Sequence, residues 1–125
     1  MAVEAIEIGG SVSANSQGVF LSPLILKPIR ILTVQVSWNG SSANDSFSVF
    51  STLSPVAVTE PQPGDPPVLR AMNIRTRVAA GFSIAIPVPT RRLVQPPLRF
   101  NFVFNNTSTT DAREVSCVIW YDTEE

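Results

Sequence analysis

Residues 30–38 read RILTVQVSW, and this stretch decides the kind of protein the chain makes. Leu32, Val34, Val36 and Trp38 fall on one side of an extended chain, and Thr33, Gln35 and Ser37 on the other. Side chains alternate across a strand with a period of two, so the pattern specifies a strand with one face in a core. Residues 98–104, LRFNFVF, follow the same rule. They predict Leu98, Phe100, Phe102 and Phe104 inward and Arg99, Asn101 and Val103 outward. In the closing run, Val115, Cys117, Ile119 and Tyr121 share one face, while Val118 and Trp120 share the other. With the first set in the core, Trp120 becomes an exposed aromatic on a terminal strand, a mark of a partner surface.

Working outward, shorter strand-like runs occupy Ala5–Ile8, Val19–Leu21, Leu24–Leu26, Phe47–Leu53, Val68–Thr76 and Phe82–Ile86. Pro, Gly, Asn and Ser divide them. The segment 59–67, TEPQPGDPP, holds four prolines, which forbid a helix and disfavour a central strand. Nowhere do good helix formers recur with a 3.6-residue period. The expected fold class is all-β, an antiparallel β-sandwich of about eight strands of jelly-roll or other Greek-key type. A chain of 125 residues predicts one domain spanning 1–125, with residues 1–18 as an N-terminal arm.

The chemistry available is narrow. There is no histidine, one cysteine (Cys117) and one lysine (Lys27). Nucleophile–histidine sites are therefore excluded, a zinc site lacks ligands, and no catalytic residue, metal or cofactor is expected. Cys117 lies in an apolar strand and reads as a buried thiol. The opening MAVEAIEIGG carries an early acid and lacks the apolar core of a signal peptide. No run reaches the roughly 18 apolar residues of a membrane helix, so no membrane partner is expected.

Only 15% of residues are charged, against about 25% in an average domain. Such a surface suits a protein that faces other protein, and equally a β-domain that uses hydroxyls in place of charges. The charges are segregated. No acid lies between Asp65 and Asp111, yet Arg70, Arg75, Arg77, Arg91, Arg92 and Arg99 all do. The acids gather near the ends, at Glu4, Glu7, Asp122, Glu124 and Glu125. Arginine is favoured at interfaces for its planar, multi-donor head. Arg70, Arg75, Arg77, Arg91 and Arg92, with Val118 and Trp120, are accordingly the expected subunit-interface residues, and the acids of another copy are the expected complement. Nucleic-acid phosphates are a lesser candidate partner, because the net charge is −1 and no aromatic stacking platform accompanies the arginines.

Taken over its full length, the chain resembles the small β-sandwich structural proteins of viruses and bacteriophages. The residues that carry the resemblance are the Leu32–Trp38 strand, the 59–67 proline loop, the run FNFVFNN at 100–106 and the closing VIWYD at 118–122. The resemblance implies a non-enzymatic capsid, decoration or spike subunit, made in the host cytoplasm and resident in the virion. It would work through contacts with copies of itself or with other virion proteins. A second reading is a carbohydrate- or receptor-binding module. Its ligand would meet the loops at 39–46, 59–67 and 105–111, with Trp38, Asn39, Glu60 and Asp65 as candidate contacts.

Overall fold

The computed structural model describes residues 2–39, 45–59, 73–75, 83–87 and 93–123. Among these the regular structure is entirely β. The strands are β1 (Ala2–Val12), β2 (Ser16–Leu21), β3 (Ile29–Trp38), β4 (Ser46–Thr52), β5 (Asn73–Arg75), β6 (Ser83–Pro87), β7 (Leu93–Val94), β8 (Arg99–Asn106) and β9 (Arg113–Thr123). They form two antiparallel sheets. The first has the order β1-β9-β3-β6, with β7 also paired to β3, and the second has the order β2-β8-β4-β5. The segment 1–18, expected as an arm, contributes β1 and the start of β2, with Ala2–Val12 in continuous register against β9.

The inward faces meet in one buried cluster. Ile119, Val34 and Val36 come from the first sheet, and Phe47, Phe100, Phe102 and Phe104 from the second. Trp38 joins the two layers, its ring 6.1 Å from those of Phe47 and Phe104. Tilted and edge-on ring pairs continue from Phe47 to Phe102 and from Phe102 to Phe104. Each such side chain, moved from water into the core, contributes about 1.5–3 kcal/mol.

One expectation about facing and one about exposure are corrected. In β3 the pairing with β9 steps from Ile31↔Tyr121 to Thr33↔Trp120, so Leu32 is the extra residue of a β-bulge. The bulge reverses the parity of the strand: Ile29 and Ile31 are buried before it, Val34, Val36 and Trp38 after it, and Leu32 is only half-buried. In β8 the residues expected outward, Asn101 and Val103, are buried as fully as the phenylalanines. A second layer covers part of that face. The Asn101 side chain accepts from the Val58 N–H at 3.0 Å and donates to the Val58 carbonyl at 2.8 Å, pinning the 53–59 segment over the sheet. The run Leu24–Leu26 forms no strand. Ile25 alone is buried, exchanging backbone hydrogen bonds with Leu98, while Leu24 and Leu26 are exposed.

A buried polar clasp closes one end of the molecule. Asp45 Oδ2 faces Arg113 Nε at 3.4 Å, and both side chains are almost wholly buried. Asp45 Oδ1 also accepts from the Thr107 N–H and hydroxyl, each at 2.8 Å. Beside them the Asn106 amide lies within 3.2 Å of the carbonyls of Val12, Ser13 and Asp111. These contacts tie the β1–β2 turn, the start of β4 and the β8–β9 connection together.

Candidate interaction surface

The register of β1, β9 and β3 determines what the outer face of the first sheet displays. Ile6, Ile8, Ile119, Cys117, Val34 and Val36 point to the core, so their alternates point out. Successive outward rows hold Val3 and Asp122 with Arg30, then Ala5, Trp120 and Thr33, then Glu7, Val118 and Gln35, then Gly9, Ser116 and Ser37. Trp120 is 42% exposed and Val3 62% exposed, while Val118 is half-buried between them and the next row. The result is an apolar and small-residue patch centred on Trp120. Its charged border is mostly acidic, with Glu7, Glu114 and Asp122 against Arg30.

Gly9 has a structural cause. Its φ of 155° and the close approach of the Val115 carbonyl and the Ser116 backbone leave no room for a Cβ. With Ser116 and Ser37 alongside, the row forms a shallow trough of about 680 Å³, bordered by Glu7, Asn39 and Glu114. A second groove of about 370 Å³ runs between β1 and the 23–29 segment and is lined by Glu4, Ile6, Leu24, Leu26 and Tyr121. Burial, followed by the charge and hydrogen bond of Glu4, raises the Tyr121 phenol above its ordinary range.

The candidate residues read from the sequence fall in different places. Trp120 and Val118 share the outer face of β9, as their alternation predicts. Trp38 is 4% exposed and its ring is taken up by the core, with an Nε1 that finds no partner among the described residues. Asn39 is exposed and structural: its Oδ1 accepts from the Glu114 N–H at 2.8 Å, joining the end of β3 to the start of β9. Arg75 lies in β5, opposite Ser46. Arg70, Arg77, Arg91, Arg92, Glu60 and Asp65 lie outside the described residues. Val3 was missed, because a lone apolar residue at the start of an edge strand gives no signal until its register is known.

Among the described residues there is no cluster of three or more acidic, cysteine or histidine side chains able to hold a metal ion. No helix among them is long and apolar enough to cross a membrane.

No protein-family description matches the sequence. No curated protein matches it either. Solved structures do. A chain of the cyanophage Pam1 capsid asymmetric unit superposes with a TM-score of 0.50 at 13% identity, over 95% of this chain and 84% of that one. A chain of infectious bursal disease virus, Gx strain, matches with a TM-score of 0.49 at 10% identity, over 96% of this chain. This chain spans 31% of the length of the latter. At such identities the likeness is one of fold. The virion-protein style read from the sequence is thus matched, as a fold, by a phage capsid structure.

Proposed function

We propose that the protein is a virion structural subunit, a capsid, decoration or spike component that assembles with copies of itself or with other virion proteins. The strand order is the first support for this reading. Sheets ordered β1-β9-β3-β6 and β2-β8-β4-β5 support a jelly-roll reading, in which two Greek keys wind together, with β7 as an addition beside β3. Jelly rolls serve viral coats, lectins and cupins alike, so the fold by itself does not choose among them.

Three further observations favour the coat. The Pam1 capsid chain is matched over most of both lengths. The outer sheet face presents Trp120 and Val3 to solvent. The ring read from the sequence as the candidate sugar contact, Trp38, is buried in the core.

The reading is tested by the mass of the purified protein, measured by light scattering across a concentration series, with negative-stain microscopy of the same samples. Discrete oligomers, shells or tubes are expected. A monomer throughout that binds specifically on a glycan array overturns the reading in favour of a lectin-like module.

A further inference from the structure

We infer that β1 is a docking edge for a second copy of this chain: two β1 strands pair antiparallel about a two-fold axis at Ile6, making the first sheets of both copies continuous. The inference rests on the structural-subunit reading and names one contact by which copies join.

The edge is long and open. Ala2–Val12 pairs with β9 in an unbroken register, and among the described residues its backbone ladder has no partner on the other side. Val3, Glu4, Ala5, Glu7, Gly9 and Ser11 are all exposed. An open strand edge is a row of donors and acceptors ready for another strand, and β1 has neither the proline nor the lysine that commonly blunts one. Packed against it, β2 is also an end strand, bonded to β8. Among the described residues, three of the four apolar side chains that pack on the core yet stay part-buried lie on these two strands: Ile6, Val19 and Phe20. The cover of the core is thinnest along this flank, where both sheets end.

The residues of β1 select how two copies meet. Antiparallel pairing about a two-fold keeps each face continuous, so every residue meets one of its own parity. Registers centred on Glu4 or Glu7 set a carboxylate directly opposite its own copy, which is destabilising. Of the rest, only the register centred on Ile6 keeps the exposed Val3 within the ladder and sets Ile6 against an apolar side chain. Residues 2–10 then run against 10–2. Ile6 meets Ile6 between the sheets, Val3 meets Gly9 beside the trough, and Ala5 meets Glu7 on the outer face. The acids of β1 thereby choose a register without closing the edge. The two Glu7 residues stand only diagonally, about 7–8 Å apart. A contact of this isologous kind closes as a dimer and carries both Trp120 patches on one continuous face.

Introduced cysteines read the register, because Cys117 is buried and does not compete. Ala5→Cys and Glu7→Cys are changes at exposed sites, so the core is left intact. A disulfide needs Cβ atoms about 3.5–4.5 Å apart, which directly opposed residues approach and diagonal ones do not. Mixed one to one and oxidised, the two variants are expected to form a linked heterodimer about fivefold or more in excess of either homodimer. Charge gives a second reading. In Ala5→Lys the new ammonium meets Glu7 of the other copy twice per dimer, and dimerisation in sedimentation equilibrium is expected to tighten about threefold. Ala5→Glu is expected to weaken it by about as much. In a Glu7→Gln background both effects should largely vanish.

A heterodimer no more abundant than the homodimers overturns the β1 pairing stated here. Charge changes that leave the dimer constant untouched, or shift it in one direction, overturn it too. If wild type still forms discrete oligomers, the structural-subunit reading stands and copies meet through another face. A wild type that is monomeric at all concentrations overturns the contact as well, and the glycan array then decides the wider reading separately.

Discussion

Cys117 shows at the scale of one residue how an inert position is made. It is fully buried on the inner face of β9, and desolvation pushes its thiol up to about 12 from an ordinary 9.0. A folded-state value above the unfolded one means that this stabilising contribution is complete below pH 9 and is lost as pH climbs toward 12. The loss reaches roughly 4 kcal/mol if the whole difference is realised. Tyr121, also raised, acts in the same direction. Native protein at pH 8 is therefore expected to resist alkylation by iodoacetamide, with labelling restored in urea. Between pH 8 and 11 the urea midpoint should fall more steeply in wild type than in Cys117→Ala, and equal slopes would contradict the assignment.

A different rule governs Asp45, whose carboxylate is held by Arg113 and Thr107 in the buried clasp. Truncating one member of a buried pair leaves its partner in a site built for two, at a cost of about 3–5 kcal/mol. Asp45→Ala is expected to lose that much in denaturant titrations, and a loss below about 1 kcal/mol would show the clasp to be solvated. Cys117 was readable from its apolar neighbours. The clasp was not, because its two charges are 68 residues apart and meet only in the fold.

At the scale of elements, the alternation of β3, β8 and β9 was legible in the sequence, and it fails at two instructive places. A period of two assumes an uninterrupted register, and the bulge at Leu32 breaks it, exchanging Leu32 for Ile31 in the core. Alternation also assumes that one face meets water, whereas a chain segment covers the outer side of β8 at Asn101. Reading Asn101 as outward was geometrically right and physically incomplete, because its amide serves both backbone groups of Val58. Of the candidate surface, Trp120 was legible from β9 alone, while the row it shares with Ala5 and Thr33 needed the pairing of three strands. Asn101→Ala leaves the Val58 N–H and carbonyl without their partner, for a cost of about 1–3 kcal/mol. The expected signature is early cleavage of the 53–59 segment in limited proteolysis. A variant as resistant as wild type would mean that Val58 packing alone holds the segment.

At the scale of the whole molecule, the order of the first sheet makes folding depend on the end of the chain. β9 lies between β1 and β3, so the first two partners of the sheet cannot be joined until residues 113–123 are in place. Ala2 pairs with Thr123, and the core draws on every strand from β1 to β9 whose burial is described. Long-range pairings of this kind demand loop closure before they return any stabilisation, which favours a slow, all-or-none transition over stepwise growth. Unfolding is thus expected to be two-state across 1–125. With Trp120 replaced by phenylalanine, fluorescence reports on Trp38 alone, buried where the two sheets meet. Its transition in urea should coincide with that of the far-ultraviolet circular dichroism, and a chain ending at Asp111 should show neither. Separate midpoints for the two probes, or a folded product from the shortened chain, would mean that the second sheet and its phenylalanines form a unit stable without β9.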